Sequence, residues 1–255
     1  MQFVHPKHIL ITGGSSGIGE ALALEYAAPG VHLFLTGRNA ERLKSVAQRC
    51  ESNGAEVTTK AIDVADRFAM ADWLKKLDVE TPLDLIVANA GISMGTSTED
   101  DGEEKIRDIF AVNLAGVLNT VHPIIDRMKE RRRGQVALVA SIAAFRGLPG
   151  SPAYSASKAA VKSYGEGLRP RLARYNVGVS VILPGFVRSR ITDQNRFAMP
   201  FFMEADKAAR VIRKGLARNK ARIAFPWPMH FTMWFLAALP ASWADRILSK
   251  SPEKE

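Results

Sequence analysis

Apolar, β-branched runs alternate with segments of helical period through the first three quarters of the chain. The run HILIT precedes GIGEALALEYAA, VHLFLT precedes AERLKSVAQRC, and EVTTKAI precedes RFAMADWLKKL. The order continues with LDLIVANAG, IRDIFAVNLAGVLNTVHPIIDRM, QVALVAS, SASKAAVKSYGEGLRPRLARY and VGVSVILPG. Strands that alternate with helices are typical of repeated βα units and a parallel sheet. We therefore predict an α/β fold, a single doubly wound parallel sheet with helices on both faces.

The strand-like runs are apolar almost throughout, as a parallel sheet covered on both faces requires. No Ser/Gly-rich linker separates the units, and 255 residues with 47% hydrophobic composition suffice for one sizeable core. We predict one domain over residues 1–255. Residues 186–255 break the alternation, and we expect a less regular C-terminal extension there.

The net charge of +9 makes nucleic acids, membranes and anionic substrates candidate partners. Residues 205–255 carry ten Lys/Arg against four Asp/Glu. The other cluster, Arg131–Arg133, precedes Gly134 and an apolar run, which predicts cations at a helix C-terminus. No aromatic residues interleave with these arginines, so we expect no nucleic-acid partner.

The cysteine and histidine residues indicate in which compartment the protein works and whether it binds a metal. Cys50 is the single cysteine, which rules out an internal disulfide and favours a reducing, cytoplasmic setting. The first residues show no charged n-region, long apolar stretch or cleavage site, so no export signal is expected. The five histidines are scattered, and no His/Cys/Asp cluster has metal-ligand spacing, so no metal is expected.

A glycine-rich segment, TGGSSGIG, lies where the run HILIT ends and the first helical segment begins. Its glycines permit a tight turn, and a helix N-terminus there offers free amides to a pyrophosphate. The spacing is T-G-x-x-x-G-x-G, unlike the common G-x-G-x-x-G dinucleotide motif, and a simple turn is the alternative. The predicted cofactor-binding residues are Thr12, Gly13, Ser15, Ser16, Gly17, Ile18 and Gly19.

With this loop, the chain resembles the short-chain dehydrogenase/reductase family. Ordered matches continue over about residues 7–190, and Y-x-x-x-K stands 13 residues after a strand-ending serine. They are Asp63, Ala88-Asn89-Ala90-Gly91, Asn113, Ser141, Tyr154, Lys158 and Pro184-Gly185. The resemblance implies a Rossmann-like fold and hydride transfer between a nicotinamide cofactor and a ketone, aldehyde or secondary alcohol. A dinucleotide-binding protein without turnover is the alternative.

Four residues are the predicted catalytic set. Tyr154 would supply or accept the proton at the substrate oxygen, and its phenol must ionise more readily than at its ordinary pKa of about 10. Lys158, four residues later on the same helix face, could lower that pKa. Ser141, at a strand end, could hydrogen-bond the same oxygen. The resemblance implies that Lys158 also holds the nicotinamide ribose and that Asn113 anchors a proton relay.

Cofactor preference is predicted from the end of the second strand. No acidic residue follows LFLT, and Arg38 offers a guanidinium that can pair with a 2′-phosphate. NADP(H) is therefore favoured over NAD(H), although the glycine loop lacks the basic residue that many NADP-preferring relatives carry. The resemblance adds further cofactor contacts at Asp63, Val64, Asn89, Ala90, Gly91, Pro184, Gly185, Val187 and Ser189.

Nine of the chain's twenty aromatic residues lie in 197–243. The resemblance implies a substrate lid and an interface helix there, and hence an apolar or long-chain substrate. It also implies a homodimer or homotetramer, which the family commonly forms through its long helices. The segment MHFTMWFLAAL has 11 residues, whereas a membrane span needs about 20. Basic residues precede it, so peripheral contact with an anionic membrane, as in a lipid-ketone reductase, is an alternative to a lid or a subunit interface.

Overall fold

The computed structural model describes residues 5–93, 102–193 and 199–249. Seven parallel strands form one sheet in the order β3-β2-β1-β4-β5-β6-β7. The strands are β1 (His8–Thr12), β2 (His32–Gly37), β3 (Glu56–Ala61), β4 (Leu85–Ala88), β5 (Gly134–Val139), β6 (Val177–Pro184) and β7 (Arg222–Phe225). The α-helices are α1 (Gly17–Tyr26), α2 (Ala40–Ser52), α3 (Arg67–Glu80), α4 (Glu103–Phe110), α5 (Gly116–Glu130), α6 (Pro152–Ala173), α7 (Arg190–Asp193), α8 (Ala205–Ala217), α9 (Trp227–Ala238) and α10 (Ala241–Leu248).

Strand order reverses between β1 and β4, which pair directly with Ile9 opposite Leu85. At such a switch point, the loops that follow the two strands leave on opposite faces of the sheet and open a crevice at the carboxyl ends. The predicted doubly wound parallel sheet is confirmed. Its crevice lies beside the glycine-rich segment.

Alternate side chains of each central strand pack on opposite faces of the sheet, as the two-residue period of a strand requires. Leu10 and Ile86 pack with residues of α3, α5 and α6, whereas Ile9 and Leu85 pack with residues of α1, α2 and α8. All four side chains are fully buried. The near-continuous apolar character of the central strands is therefore a consequence of two covered faces.

The arginine cluster lies at the end of α5, as predicted. Arg131 donates to the buried Asp78 carboxylate at 2.6 Å and to the Leu83 carbonyl at 2.7 Å. Arg133 donates to Asp84 at 2.6 Å. Gly134 then turns into β5 with φ +144°, in a region that favours glycine. These cations thus join the end of α5 to the loop that precedes β4.

The prediction of a less regular C-terminal extension is wrong for the part of residues 186–255 that the structure describes. Helix α8 buries Ala208, Ile212 and Leu216, which stand one helical turn apart, and packs on α1. Strand β7 adds the seventh strand beside β6. Four residues are too few for a strand to show a recognisable period, so β7 gave little sequence signal.

One stretch among the described residues, Glu103–Glu130, is long and apolar enough by length and composition to cross a membrane. It comprises α4, a π-helical turn (Ala111–Ala115) and α5. Val117, Val121 and Ile124 are buried in the core between the sheet and its helices. In this fold the stretch is a core element.

Candidate active site

A cleft of about 410 Å³ opens at the carboxyl ends of the strands, above the switch point. Its walls come from the segments that follow β1 to β6 and from the first turns of α6. The predicted site residues that line it are Gly13, Ser15, Ser16, Gly17, Ile18, Arg38, Asp63, Val64, Asn89, Ala90, Gly91, Ser141, Tyr154, Lys158, Pro184, Gly185, Val187 and Ser189. Thr12, Gly19 and Asn113 do not line it.

Thr12 and Gly19 are structural supports of the glycine loop and do not form its surface. The buried Thr12 hydroxyl accepts from the backbone N–H groups of Asn89 at 3.0 Å and Ala90 at 3.1 Å, which ties the ends of β1 and β4 together. A Cβ at Gly19 would lie 2.3 Å from the Gly13 carbonyl oxygen. The absence of a side chain at Gly19 therefore lets α1 pack against its own loop.

The surface of the loop consists of backbone and small side chains. Gly13 and Gly17 have φ of +66° and +58°, which favour glycine. Ser16 precedes α1 in extended conformation, and its side chain makes no cap hydrogen bond to that helix. The first amides of α1 are thus available to an anion in the cleft, where the positive end of the helix dipole adds attraction.

Asn113 lies in the π-helical turn between α4 and α5, fully buried behind the cleft wall. Its amide pairs with the backbone of Ile92, accepting from N–H at 2.8 Å and donating to the carbonyl at 2.9 Å. It also donates to Ser157 Oγ at 3.0 Å. A π-turn widens the helix locally, which often marks a functional position. Asn113 thereby joins the segment after β4 to α6.

The side chains of Asn113 and Lys158 pack closely around Gly91. A Cβ added there would lie 3.1 Å from Asn113 Oδ1 and 3.2 Å from Lys158 Nζ. Both polar groups therefore border the same small space. The structure thus brings Asn113 and Lys158 together, although they are far apart in sequence.

Ser141 follows β5 and caps the short 3₁₀ turn Ile142–Ala144, accepting from Ala143 N–H at 3.1 Å. Its side chain also hydrogen-bonds Tyr154, which lies in the first turn of α6. Burial raises the pKa of the Tyr154 phenol, and the Ser141 hydrogen bond opposes that rise. The two hydroxyl groups lie together in the cleft, as the sequence predicts.

Lys158 is buried one turn along α6, and its Nζ donates to the Val139 carbonyl at 3.0 Å. Burial lowers the pKa of this ammonium to about 8. Nζ lies 5.7 Å from the centroid of the Tyr154 ring. Desolvation is the largest influence on the Tyr154 pKa, so a lowering of that pKa by Lys158 stays a prediction.

Comparison with known proteins identifies the chain. Residues 7–199 match the family model of the short chain dehydrogenases. The chain belongs to this family. An uncharacterized oxidoreductase of Myxococcus xanthus (strain DK1622) is 39% identical over 232 residues, which cover 91% of this chain and 92% of that protein. The chain is therefore an oxidoreductase of the short-chain dehydrogenase type.

Solved structures share the fold. An alcohol dehydrogenase from the archaeon Thermococcus sibiricus, complexed with 5-hydroxy-NADP, is 27% identical with a TM-score of 0.75, over 86% of this chain and 94% of that one. A short-chain dehydrogenase from Sphingobium yanoikuyae in complex with NADPH is 23% identical with a TM-score of 0.79, over 96% of both chains.

Sequence reasoning missed two cations that line the cleft of this short-chain dehydrogenase, Arg42 and Arg190. Arg42, in the first turn of α2, lines the cleft with Arg38. Its Nε is buried and has no hydrogen-bond partner among the described residues. An unpaired buried donor is costly, so this nitrogen is a candidate to bind an anionic ligand in the cleft. The spacing of four residues from Arg38, across a helix start, is the signal that could have revealed it.

The other cleft residues that sequence reasoning missed are mostly apolar or small. They are Gly37, Ile62, Ile92, Ser93, Val112, Val139, Ala140 and Thr192. Thr192 holds the predicted Ser189 in place, because its Oγ1 accepts from Ser189 N–H at 2.8 Å and donates to the Val187 carbonyl at 3.0 Å. Nothing in the local pattern of residues 186–193 indicates this turn.

The cleft of this short-chain dehydrogenase divides into two chemical regions. One end holds a phenol, a hydroxyl and a buried ammonium, which can exchange a proton at a substrate oxygen. The other end holds helix amides and two guanidinium groups, which suit phosphates. Among the described residues, no group of three or more His, Cys, Asp or Glu side chains is placed to hold a metal ion.

Proposed function

We propose that this protein transfers a hydride between NADP(H) and the carbonyl or secondary alcohol carbon of an apolar substrate. The observation that carries the proposal is the convergence of Tyr154, Ser141 and Lys158 in one cleft with the glycine loop and a pair of arginines. The family supports the reaction type, and the Thermococcus sibiricus relative complexed with 5-hydroxy-NADP supports the cofactor.

The residues present fit a phosphorylated dinucleotide. Gly13 and Gly17 let the loop pack closely, since a Cβ would lie 2.9 Å from Ala90 Cα at the first position and 2.9 Å from Ser189 Cβ at the second. The first amides of α1, beside this loop, suit a pyrophosphate. The unpaired Arg42 Nε and the exposed Arg38 suit a 2′-phosphate at the end of β2. Asp63 and Val64 would border the adenine, and Val187 and Ser189 would hold the nicotinamide amide.

The bound cofactor supplies or accepts the hydride. Tyr154 donates its phenolic proton to the substrate oxygen in reduction and accepts it in oxidation. Ser141 hydrogen-bonds the same oxygen and directs it towards the phenol, since the two hydroxyls already meet. Lys158 holds a positive charge beside the phenolate when protonated, and its pKa of about 8 leaves this proton exchangeable near neutrality. Asn113 holds the segment after β4 against α6 through its hydrogen bonds to Ile92 and Ser157, one residue before Lys158.

Cofactor selectivity gives a direct test of the arginine pair. Replacing Arg42 with Leu is expected to raise KM for NADPH by about tenfold to a hundredfold, because a charge-assisted hydrogen bond contributes roughly 1.5–3 kcal/mol. KM for NADH should change little, since NADH lacks the 2′-phosphate. Steady-state kinetics with both cofactors would measure the two effects.

Arg171→Leu, on the exposed face of α6, is the matched control and should leave both KM values unchanged. Arg38→Leu should act like Arg42→Leu, again on NADPH alone. An equal rise in KM for NADPH and NADH would contradict a role of these arginines in binding the 2′-phosphate. A wild-type KM for NADH at or below that for NADPH would contradict the proposed preference for NADP(H).

An apolar substrate is supported by the residues around the catalytic end. Met229 from α9 packs against Gly185, where a Cβ would lie 2.9 Å from its sulfur and 3.4 Å from Ile142 Cδ1. Ile92 and Val112 add apolar side chains to the lining of the same cleft. This apolar lining favours substrates in which the carbonyl group is attached to an aryl, alicyclic or long-chain group.

A panel of ketones assayed by NADPH consumption tests this substrate class. We expect kcat/KM to rise with apolar bulk from short aliphatic to aryl and long-chain ketones, because each buried methylene adds about 0.8 kcal/mol. Hydrophilic ketoses of similar size are the control. A preference for the ketoses would contradict an apolar pocket while leaving the reaction type intact.

Assembly and location complete the proposal. We propose a homodimer or homotetramer formed through the long helices α5 and α6, which light scattering would measure. We propose a cytoplasmic setting, which the single, buried Cys50 supports because the chain can form no internal disulfide. Residues 1–255 would act as one cofactor-binding domain in which 186–255 supplies one wall of the substrate site.

A further inference from the structure

Helices α9 and α10 expose an unusual set of large apolar side chains, here called the aromatic face. Trp227 and Trp243 have 76% and 64% of their surface exposed. The aromatic face comprises Trp227, Phe231, Trp234, Phe235, Trp243 and Ile247. Three of the chain's four tryptophans belong to it. Exposed apolar patches of this kind mark interaction sites, since water solvates them poorly.

Helix α9 is apolar on both of its sides. On the inner side, Leu236 is buried and Met229 and Met233 pack against the core. On the outer side, Trp227, Phe231 and Trp234 follow at helical spacing and face outwards. A helix of this composition is normally enclosed by other apolar material. Within residues 5–93, 102–193 and 199–249, the rest of the protein encloses only the inner side of α9.

We propose that the aromatic face binds the interfacial region of a lipid bilayer, with α9 lying in the membrane plane. Twelve residues make a helix of about 18 Å, well short of the ~30 Å hydrocarbon core, so α9 lies on the membrane and does not cross it. Trp and Phe are the residues that anchor such helices at the boundary between headgroups and acyl chains.

The polar chemistry of the segment favours lipid over a protein partner. Between Ile223 and Ala244 the sequence contains no Asp, Glu, Lys or Arg. Apart from the indoles, its polar side chains are His230, Thr232 and Ser242, and the Thr232 hydroxyl already donates to the Pro228 carbonyl at 2.9 Å. A protein interface of useful size needs about one hydrogen bond per 100–200 Å², which this face supplies poorly. A bilayer requires none beyond those of the indole N–H groups.

Charge is also compatible with an anionic bilayer. No carboxylate interrupts the sequence between Asp206 and Asp245, and the chain carries a net charge of +9. Arg246 is exposed on α10 beside Ile247. Arg218 and Lys220, however, precede β7 and lie at the end of that strand opposite to α9. The sequence predicts that the basic residues before α9 attract an anionic membrane. Because Arg218 and Lys220 lie far from the aromatic face, we expect them to contribute little to that attraction.

The aromatic face also adjoins the cleft. Helix α9 begins directly after β7, at the carboxyl edge of the sheet, and its Met229 packs on Gly185 in the cleft wall. A membrane-bound orientation would therefore bring the substrate end of the cleft close to the acyl chains. This would suit an apolar carbonyl compound dissolved in lipid, although membrane binding itself does not depend on the proposed reaction.

Vesicle flotation of the full chain tests the proposal. Wild type is expected to float with vesicles of phosphatidylcholine and phosphatidylglycerol, and less strongly with phosphatidylcholine alone. The double variant Trp234→Gln, Phe235→Gln should partition about tenfold less or lower, because two interfacial aromatic anchors are lost. Phe68→Gln is the matched control, since Phe68 is 83% exposed on α3 and lies outside the aromatic face.

Two further measurements keep the result interpretable. Quenching of tryptophan emission by brominated lipid should occur in wild type and persist in Trp73→Phe, which leaves only the three tryptophans of the aromatic face. Light scattering without lipid should show the same assembly for wild type and the double variant. Failure of the folded wild type to float would overturn the proposal. A double variant that floats like wild type would also overturn it. So would a double variant that floats less only because its assembly has changed, and that result would show that the aromatic face binds a second copy of the chain.

Discussion

Tyr154→Phe is expected to lower turnover by about two to four orders of magnitude, because it removes the phenolic hydroxyl that we propose exchanges a proton with the substrate oxygen. The phenol lies with the Ser141 hydroxyl in the cleft, and replacing it with hydrogen keeps the ring and its packing. NADPH binding should be unchanged. Stopped-flow measurement of the chemical step and titration of NADPH fluorescence would separate the two quantities.

Tyr164→Phe provides the control on the same helix. The Tyr164 hydroxyl hydrogen-bonds His122 at 3.0 Å, outside the cleft, so its loss should leave turnover near the wild-type value. If Tyr154→Phe retained full turnover, the proton-transfer role would be refuted. A loss of NADPH binding together with turnover would instead show that Tyr154 acts in cofactor binding.

Lys158→Met is expected to abolish most activity and at the same time stabilise the protein alone at neutral pH. Lys158 is buried, its ammonium has a pKa lowered to about 8 by desolvation, and Met fills a similar volume without a charge. The lowered pKa means that the folded state binds this proton less tightly than the unfolded chain does. We expect a gain of about 1–3 kcal/mol in the free energy of unfolding at pH 7, reduced by the lost hydrogen bond to Val139.

The stability gained by Lys158→Met should decrease as the pH rises. Below about pH 8, Lys158 is protonated in both states, so the wild type carries the full cost of the buried charge. As the pH rises from 8 towards the ordinary lysine value of 10.5, the folded state loses its proton first and the cost disappears. The advantage of Lys158→Met should therefore be largest near neutrality and vanish above about pH 10.5.

Urea unfolding of both proteins at several pH values measures this difference. Lys162→Met is the matched control, one turn further along α6, where the ammonium pairs with Glu166 at 3.1 Å. It should give no comparable gain at neutral pH. A Lys158→Met difference that is constant with pH would show that packing, and not the buried charge, determines the effect.

The fold and the placement of Tyr154 and Lys158 in one cleft were predictable because their signals are local. Tyr154 and Lys158 stand four residues apart on one helix, and the helical period alone brings them to the same face. The glycine loop is likewise a continuous segment between a strand and a helix. Parallel strands collect their carboxyl ends at one edge, so Ser141 and Asp63 fall near the same cleft once the βα order is known.

Other features depend on contacts between distant segments. Thr12 and Gly19 belong to the loop motif, yet only the packing of β1 against β4 and of α1 against the loop turns them away from the cleft. The spacing from Arg38 could indicate Arg42 as a second cation near the cleft, but only the packed structure shows that its Nε is buried with no hydrogen-bond partner among the described residues. Strand β7 is recognisable chiefly by its pairing with β6.

The sequence by itself determined the doubly wound sheet, the order of the site residues along it and the identity of the groups that can exchange a proton. Hydrophobic period and turn chemistry act over a few residues, and the sequence contains them directly. The tertiary structure decided which of those groups share a space, how burial shifts the pKa values of Tyr154 and Lys158, and which aromatic side chains of α9 remain uncovered. Burial and electrostatics depend on every neighbour in three dimensions, so these properties follow only from the packed chain.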